Sequence, residues 1–428
     1  MGNSHFFTEA VKRHPKIGWR EIFSESFVRH SKADRELALQ TGTTHRLVPE
    51  SRMLSTWHKP WLWWQAAKAA LGIIALLYAM VFLCEVMQIG TLEVLYDMLT
   101  IIPPLLFPMV ILVFFWEMNI PQNISLGDIL AFYLAAALIS FGVTAIAFQF
   151  VSEGPAKYAA LREEPAKLVA CVAILWYIQT KQKKKIYGMT GLLVGAVVGA
   201  AFSGIESVSY ALNAGDTVDS IVRNQLLRGV FSIAGHIAYA VPYSCAIALH
   251  ADKGRIRANS VICVETVVAL GLSTALHWLW NSSTDYFLPI ALCCAAPFRY
   301  IYWIRKGLNQ IATLCTAQGA ADTEPSESIT LCCQSTALKG RSWQCSQEPL
   351  TIGRQSGQCA LCFPANTPGV SRIHCRVFRT EEGWAVQDLN SSEGTYVDGR
   401  KLAPHETARL HRGSELFIGS KWVRITVK

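Results

Sequence analysis

Residues 187–212 read YGMTGLLVGAVVGAAFSGIESVSYAL, an apolar run with one carboxylate, Glu206, and long enough to cross a bilayer, which takes about 20 residues. Gly191, Gly195 and Gly199 recur every fourth residue, the spacing that lets two membrane helices approach closely. Seven residues past Gly199, Glu206 falls on nearly the same helix face, so it is expected to point into a bundle and not at lipid. An ionisable group near mid-bilayer costs about 2.5–3.5 kcal/mol on insertion scales, so it needs a partner or a purpose.

Working outward, comparable stretches lie at about 66–89, 96–116, 127–151, 166–180, 226–250, 259–282 and 285–304. The fold class expected is a polytopic α-helical membrane domain of about eight helices followed by an all-β domain. Of the 428 residues 51% are hydrophobic and 16% charged, whereas a soluble domain carries about 25% charge. With a mean hydropathy of +0.27, a wholly soluble protein is excluded. The excess of 39 Lys and Arg over 31 Asp and Glu does not argue for nucleic acid, because membrane proteins concentrate cations in their cytoplasmic loops. No nucleic-acid partner is expected; the lipid bilayer is.

Cations follow the fourth stretch (Lys181, Lys183, Lys184, Lys185), the sixth (Lys253, Arg255, Arg257) and the eighth (Arg305, Lys306). The positive-inside rule then places both termini in the cytoplasm of a multi-pass protein of the cell membrane. Residues 1–65 hold no apolar run, so they read as a cytoplasmic N-terminal region, partly helical from about 18 to 40, and not as a secretory signal. Trp57, Trp61, Trp63 and Trp64 form an interfacial belt beside the first stretch. Residues 66–306 are the transmembrane domain. Residues 307–327, polar and small, read as a linker. Residues 328–428 show short alternating runs between Gly, Asn, Asp and Pro clusters, the pattern of an all-β domain. The thirteen cysteines are odd in number and lack framework spacing, so they read as reduced. The pair Cys359 and Cys362 has zinc-like spacing, but one CxxC alone is a weak metal signal.

Five further polar residues stand out in the apolar stretches. Glu163 and Glu164 open the fourth helix, with Pro165 in its first turn and Lys167 one turn on. His236 lies in the sixth stretch, and His277 and Asn281, four apart, share one face of the seventh. Taken singly these are a helix cap, a packing histidine and an interhelical hydrogen bond. At about 1.5 Å per residue, Glu206 and His277 lie roughly 8–9 Å and His236 roughly 15 Å below the outer membrane face, so the set shares the outer half. Carboxylates and imidazoles in a partly dry cavity can deprotonate a water and protonate a leaving amine, the equipment of a hydrolase. The same residues could ligate zinc, although no HExxH spacing is present and no cofactor is required by the sequence. Proton or ion transport would use the same residue types. Glu265 and Glu85 read as structural.

Glu163-Glu164-Pro165-Ala166-Lys167, Phe202-Ser203-Gly204-Ile205-Glu206, His236 and His277-Trp278-Leu279-Trp280-Asn281 resemble, in order, the EExxK, FxxxE, H and HxxxN motifs of the PrsW family of intramembrane proteases. The resemblance covers about residues 100–305. It implies cleavage of a membrane-anchored protein substrate, typically an anti-sigma factor, near the extracytoplasmic side. On that analogy Glu163 or Glu164 activates water, while His277, His236 and Glu206 bind water or stabilise the oxyanion and Asn281 assists.

In the β domain, Gly353-Arg354, Ser371-Arg372-Ile373-His374 and Asp388 through Gly399 resemble the forkhead-associated (FHA) domain, a β-sandwich whose loops read phosphothreonine. Arg354 offers a planar fork for phosphate, and Ser371 and Ser392 offer hydroxyls. Arg372 and His374 read as loop-bracing. One departure stands out: Glu393 occupies the place where the family usually has Asn, so a residue that only accepts hydrogen bonds puts a negative charge near the phosphate. The joint reading is a bacterial membrane protease coupled through its FHA domain to a phosphothreonine-containing partner. Its alternatives are a non-catalytic membrane scaffold that recruits phosphoproteins, or a transporter.

Overall fold

In the computed structural model the chain divides into two compact units, Met1–Cys315 and Thr316–Lys428. The structure describes residues 19–43, 48, 50, 53–54, 57–89, 93–150, 158–213, 220, 232, 234–284, 287–322, 328–335, 338–345, 348–380, 383–419 and 423–428.

The first unit is helical. Two short helices, α1 (Trp19–Ile22) and α2 (Lys32–Leu39), make the N-terminal region partly helical, as expected between about 18 and 40. They are followed by α3 (Leu62–Val86), α4 (Glu93–Glu117), α5 (Leu126–Ala147), α6 (Ala159–Thr180), α7 (Gly188–Leu212), α8 (His236–Leu249), the short α9 (Ala258–Val261), α10 (Val264–Asn281) and α11 (Phe287–Asp322). Among the described residues α3, α4, α5, α7 and α11 are long and apolar enough to cross a membrane, which fits a multi-pass membrane protein. The expected count of eight is not reached on length and composition. The three helices that fall short have evident reasons: α6 carries Arg162, Glu163, Glu164 and Lys167, α10 is diluted by Glu265, His277 and Asn281, and α8 has 14 residues, with positions 226–231 of its expected stretch outside the described residues.

Helix α7 is the axis of the unit: every residue from Gly188 to Gly204 is buried. Its glycine row explains how. A Cβ on Gly191 would lie 2.5 Å from the Ser244 carbonyl oxygen, one on Gly195 2.6 Å from Val241 Cα, and one on Gly199 2.5 Å from Ile237 Cα. Helix α8 therefore rests directly on the α7 backbone, and it is buried from His236 to Ala248. Close backbone approach gains dispersion contacts where lipid offers no hydrophobic driving force. The row continues to Glu206, which meets the first residue of α8.

Two sequence expectations are corrected here. Helix α6 starts at Ala159, a turn earlier than expected, so Pro165 sits inside the helix and not in its first turn; this forgoes one helical hydrogen bond. The stretch expected as a linker at 307–327 is helical through Asp322. Its apolar period is short but real: Ile304, Leu308 and Ile311 are buried at spacings of four and three, and Gln310 Oε1 accepts from the Gly188 N–H at 2.7 Å.

The aromatic belt has a structural anchor beside it. The Glu117 carboxylate at the end of α4 accepts from the backbone N–H groups of Trp61, Leu62 and Trp63 at 2.7–2.8 Å, satisfying donors that the start of α3 cannot pair internally. Glu265 is ion-paired with Lys306 and lies 3.6 Å from His250, so it is structural as expected.

The second unit is a β-sandwich. One sheet runs β2(Ser342–Cys345)-β1(Ile329–Cys333)-β11(Arg424–Val427)-β10(Glu415–Ile418)-β7(Thr395–Val397)-β8(Arg400–Lys401), and the other β4(Leu361–Cys362)-β3(Leu350–Gly353)-β5(Ile373–Thr380)-β6(Gly383–Asp388)-β9(Thr407–Arg409). Leu331, Leu416 and Ile425 from the first sheet and Ile352, Val377 and Val386 from the second meet in one core. All thirteen cysteines are free thiols.

Gly195→Val would force α7 and α8 apart, and overpacking of this kind costs about 1–3 kcal/mol. A lowered melting temperature of the detergent-purified protein is the expected outcome, with exposed Gly271→Val, where a Cβ meets nothing within 4 Å, unchanged as the control.

Candidate active site

Four helices bring the membrane residues together. Glu163, Glu164 and Lys167 come from α6, Glu206 from α7, His236 from the start of α8 and His277 from α10. Glu164 and Lys167 have no solvent exposure at all. Lys167 Nζ donates to Glu164 Oε1 at 2.5 Å and lies 2.8 Å from His236 Nδ1 and 3.9 Å from Glu163 Oε2. His277 Nδ1 lies 2.8 Å from the same Glu164 oxygen, and Tyr243 Oη donates to the other at 3.2 Å. His236 Nε2 meets Glu206 Oε2 at 2.8 Å.

The proton positions follow from these partners. An ammonium donates to His236 Nδ1, so that ring carries its proton on Nε2 and donates to Glu206. His277 donates from Nδ1 to Glu164, so its Nε2 lone pair is left facing Glu163 Oε2, 3.7 Å away. That oxygen is buried and has no hydrogen-bond partner among the described residues. Glu164 is thereby saturated, while Glu163 is not.

The ligating atoms of Glu163, His236 and His277 lie within 4.8 Å of one another, the one metal-compatible His/Cys/Asp/Glu group among the described residues. The donor set, two imidazoles and a carboxylate, suits zinc. An orphaned carboxylate oxygen beside a histidine lone pair that a second carboxylate orients fits a cation-binding role. The third donor is less ready, since Lys167 and Glu206 hold both nitrogens of His236. The CxxC pair does not join such a group: Cys359 Sγ donates to the Arg372 carbonyl instead.

Of the expected membrane residues, Glu163, Glu164, Glu206, His236 and His277 converge in one site. Asn281 is half-buried one turn beyond His277 on α10. Sequence reading left out the aromatic frame. Tyr239 stacks on His277 with ring centroids 5.0 Å apart, and Phe202 packs on His236 at 4.9 Å while Lys167 Nζ lies over its ring at 4.5 Å. Tyr239 and Tyr243 follow His236 by three and seven residues, one face of α8, a period that could have singled them out. Arg299 of α11 also reaches in: one guanidinium nitrogen donates to Ser273 Oγ at 2.7 Å, which in turn donates to the Tyr239 carbonyl at 2.8 Å. Its Nη1 and the Tyr239 hydroxyl are buried without a partner among the described residues.

A second site lies on the β-sandwich. A cavity of about 900 Å³ is lined by Arg354, Ser371, Arg372, Ile373, Ser392 and Glu393, among others. Arg354 donates from Nε to the Val370 carbonyl at 2.7 Å and from Nη1 to the Ala365 carbonyl at 3.0 Å, which leaves Nη2 for an anion. Ser371 and Ser392 hydroxyls are 3.1 Å apart, and the Ser392 N–H donates to Ser371 Oγ at 3.0 Å. His374, fully buried, accepts the Ser371 N–H on Nδ1 at 3.0 Å and donates from Nε2 to the Gly394 carbonyl at 3.1 Å, tying both lips of the groove. This bears out its reading as a bracing residue. Asp388 fixes the loop between β6 and β7: it accepts from Ser391 N–H at 3.0 Å and from Thr395 Oγ1 at 2.6 Å.

A multi-pass helical protein with a buried carboxylate–histidine site, carrying a β-sandwich with a basic loop groove, is the class that this fold and these sites define. Residues 107–304 match the model of the PrsW family intramembrane metalloprotease, and residues 350–419 match that of the FHA domain. The chain is a fusion of a PrsW-family membrane region with a C-terminal FHA domain. No curated protein matches it. Among solved structures, the FHA domain of an Arabidopsis thaliana protein is 23% identical over 24% of this chain and 86% of its own, with a TM-score of 0.23. A second, from a study of phosphothreonine-dependent FHA interactions, is 27% identical over 24% of this chain and 95% of its own, TM-score 0.20. Mycobacterium tuberculosis EmbR, solved with a low-affinity phosphopeptide, is 15% identical over 63% of this chain and 72% of its own, TM-score 0.22.

Removing one partner of a buried ion pair strands the other, at a cost of about 3–5 kcal/mol. Lys167→Met is therefore expected to destabilise the membrane unit strongly in thermal melts, and Lys167→Met with Glu164→Gln to recover part of the loss. In the FHA domain, burial pushes the His374 imidazole below its ordinary 6.5. The folded domain then binds fewer protons than the unfolded chain between that lowered value and 6.5, so stability falls as pH drops through this window. Urea midpoints of the C-terminal unit, read by hydrogen exchange of its peptides, are expected to decline below pH 6.5, and His374→Gln to remove that part of the slope.

Proposed function

We propose that this protein is an intramembrane protease that hydrolyses a membrane-anchored protein near the extracytoplasmic side, with both termini in the cytoplasm. The observation that carries the reading is the buried Glu163 Oε2, without a hydrogen-bond partner among the described residues, lying 3.7 Å from the Nε2 lone pair of the His277 that Glu164 orients. A structural cluster would close on itself; this one leaves an acceptor and a lone pair side by side.

The roles follow from the hydrogen bonds. Glu164, engaged on both oxygens by Lys167, His277 and Tyr243, orients His277 and is not the group that meets water. Glu163 Oε2 is the carboxylate able to take a proton from water or to ligate a cation. Glu206 holds the proton on His236 Nε2. Glu163 and His277, with His236 once one of its nitrogens is released by Lys167 or Glu206, would hold a zinc-type ion, which when bound supplies Lewis-acid polarisation of a peptide carbonyl and of water at neutral pH. Lys167 bridges these groups, reaching Glu164, His236 and, at 3.9 Å, Glu163. Asn281, one turn beyond His277, would assist His277 in binding water or stabilising the oxyanion. An anti-sigma factor is the substrate class that the family resemblance favours. The FHA groove, with Arg354, Ser371 and Ser392, would bind a phosphothreonine-containing partner and so tie cleavage to a kinase signal.

The test is cleavage of a panel of single-span membrane substrates by the full chain in liposomes, with metal content measured on the same preparations. Removing an acid–base group costs about 10²–10⁴-fold, so Glu163→Gln and His277→Ala are expected to lose at least about a hundredfold in rate without a change in helix content. Undiminished cleavage by Glu163→Gln overturns the assignment. Loss of bound metal in both variants would make these residues ligands, whereas activity that survives exhaustive chelation would leave Glu163 as the proton acceptor.

A further inference from the structure

The FHA groove is not charge-matched to a phosphate alone. Its charged lining residues are two cations, Arg354 and Arg372, and one anion, Glu393. A phosphothreonine brings about −1.5 to −2 charges at neutral pH, which the two guanidiniums match. Glu393 is then left over. It follows Ser392 directly, and Ser392 is bonded to Ser371, so the carboxylate is borne one residue from the hydroxyl pair that faces the phosphate. Glu393 is exposed, and Asp388 and His374 pin the loop on either side of it.

A carboxylate has no proton to give at neutral pH, so Glu393 cannot donate to a peptide carbonyl as an amide there would. It also repels the incoming phosphate. Both disadvantages turn into attraction if the ligand carries a cation close to its phosphothreonine. We infer that Glu393 makes this groove select phosphothreonine segments flanked by lysine or arginine, with Glu393 as the specificity-determining residue. The inference rests on the phosphothreonine reading above and deepens it: the partner is a protein whose phosphorylated threonine lies in a basic segment. Arg354 takes the phosphate with Arg372, which lines the groove and is here assigned to it and not to loop bracing, and Glu393 takes the flanking cation.

The experiment is calorimetric titration of the full chain in zwitterionic nanodiscs, which avoid unspecific capture of basic peptides by anionic lipid. The probes are short synthetic peptides with a central phosphothreonine and lysine, glutamine or glutamate at each flanking position in turn, with unphosphorylated counterparts. An exposed ion pair supports about a two- to fivefold preference. Lysine at one or more positions is expected to bind that much tighter than glutamine, and glutamate weaker, with the spread shrinking as salt rises. Glu393→Gln is expected to remove the spread while keeping the dependence on phosphate; Glu393→Asn, a second variant, should behave alike and bind the neutral peptide better. Equal affinities in the wild type, or a lysine preference that survives Glu393→Gln, overturns the role of Glu393 and leaves phosphothreonine recognition standing. If no phosphopeptide binds better than its unphosphorylated counterpart, the phosphothreonine reading itself fails and this inference with it.

Discussion

An ammonium and a carboxylate with no solvent exposure, Lys167 and Glu164, form the interaction on which the membrane site depends. Neither could be buried alone, because each charge taken out of water carries a penalty of several kcal/mol that only a close partner offsets. Paired on one helix, they become a fixed dipole to which the other helices attach. Lys167 reaches His236 on α8, and Glu164 reaches His277 on α10 and Tyr243 on α8. Each attachment also sets a proton: the lysine directs that of His236 toward Glu206, and the glutamate directs that of His277 away from Glu163. Satisfying the pair thus leaves Glu163 Oε2 buried without a hydrogen bond among the described residues.

This arrangement requires that α8 come very near α7, and glycine is what permits it. At Gly191, Gly195 and Gly199 a side chain would overlap the α8 backbone. The helices therefore meet backbone to backbone, which delivers His236 to within 2.8 Å of Glu206 one further step along the same face. Packing and chemistry are the same fact here. A residue that widened the α7–α8 gap would pull His236 from Glu206 and Lys167 together, and the tautomer argument would lapse with it.

Much of this was legible before any coordinates. The glycine row and Glu206 lie on one face by spacing alone, and the order of the EExxK, FxxxE and histidine motifs singled out five residues that the structure brings together. What could not be read has physical causes. The helical continuation of α11 to Asp322 is carried by Ile304, Leu308 and Ile311 among small polar residues, so its period is masked by composition. Pro165 looked like a helix start, yet the packing of α6 tolerates one missing hydrogen bond. The distinct states of Glu163 and Glu164 were beyond sequence because adjacent glutamates look alike; only their partners on α8 and α10 separate a saturated carboxylate from an open one. Tyr239 and Tyr243 share the His236 face of α8 by spacing alone, whereas the partners of Arg299, Ser273 and through it the Tyr239 carbonyl, lie on other helices that only the fold brings to it.

The two sites handle charge in opposite ways, and this bears on what each can recognise. In the membrane site the ionic groups are enclosed and all but Glu163 are engaged with one another, so an entering group must meet that carboxylate or displace an existing bond, which favours one chemical step over broad binding. In the FHA groove Arg354 is held by two carbonyls and the hydroxyls by each other, so the side-chain ordering entropy is already spent before a ligand arrives. A preorganised, water-exposed groove discriminates through the charges at its rim. With its cations matched to a phosphate, what distinguishes one phosphorylated segment from another falls to the remaining charge, and in this chain that charge is a carboxylate.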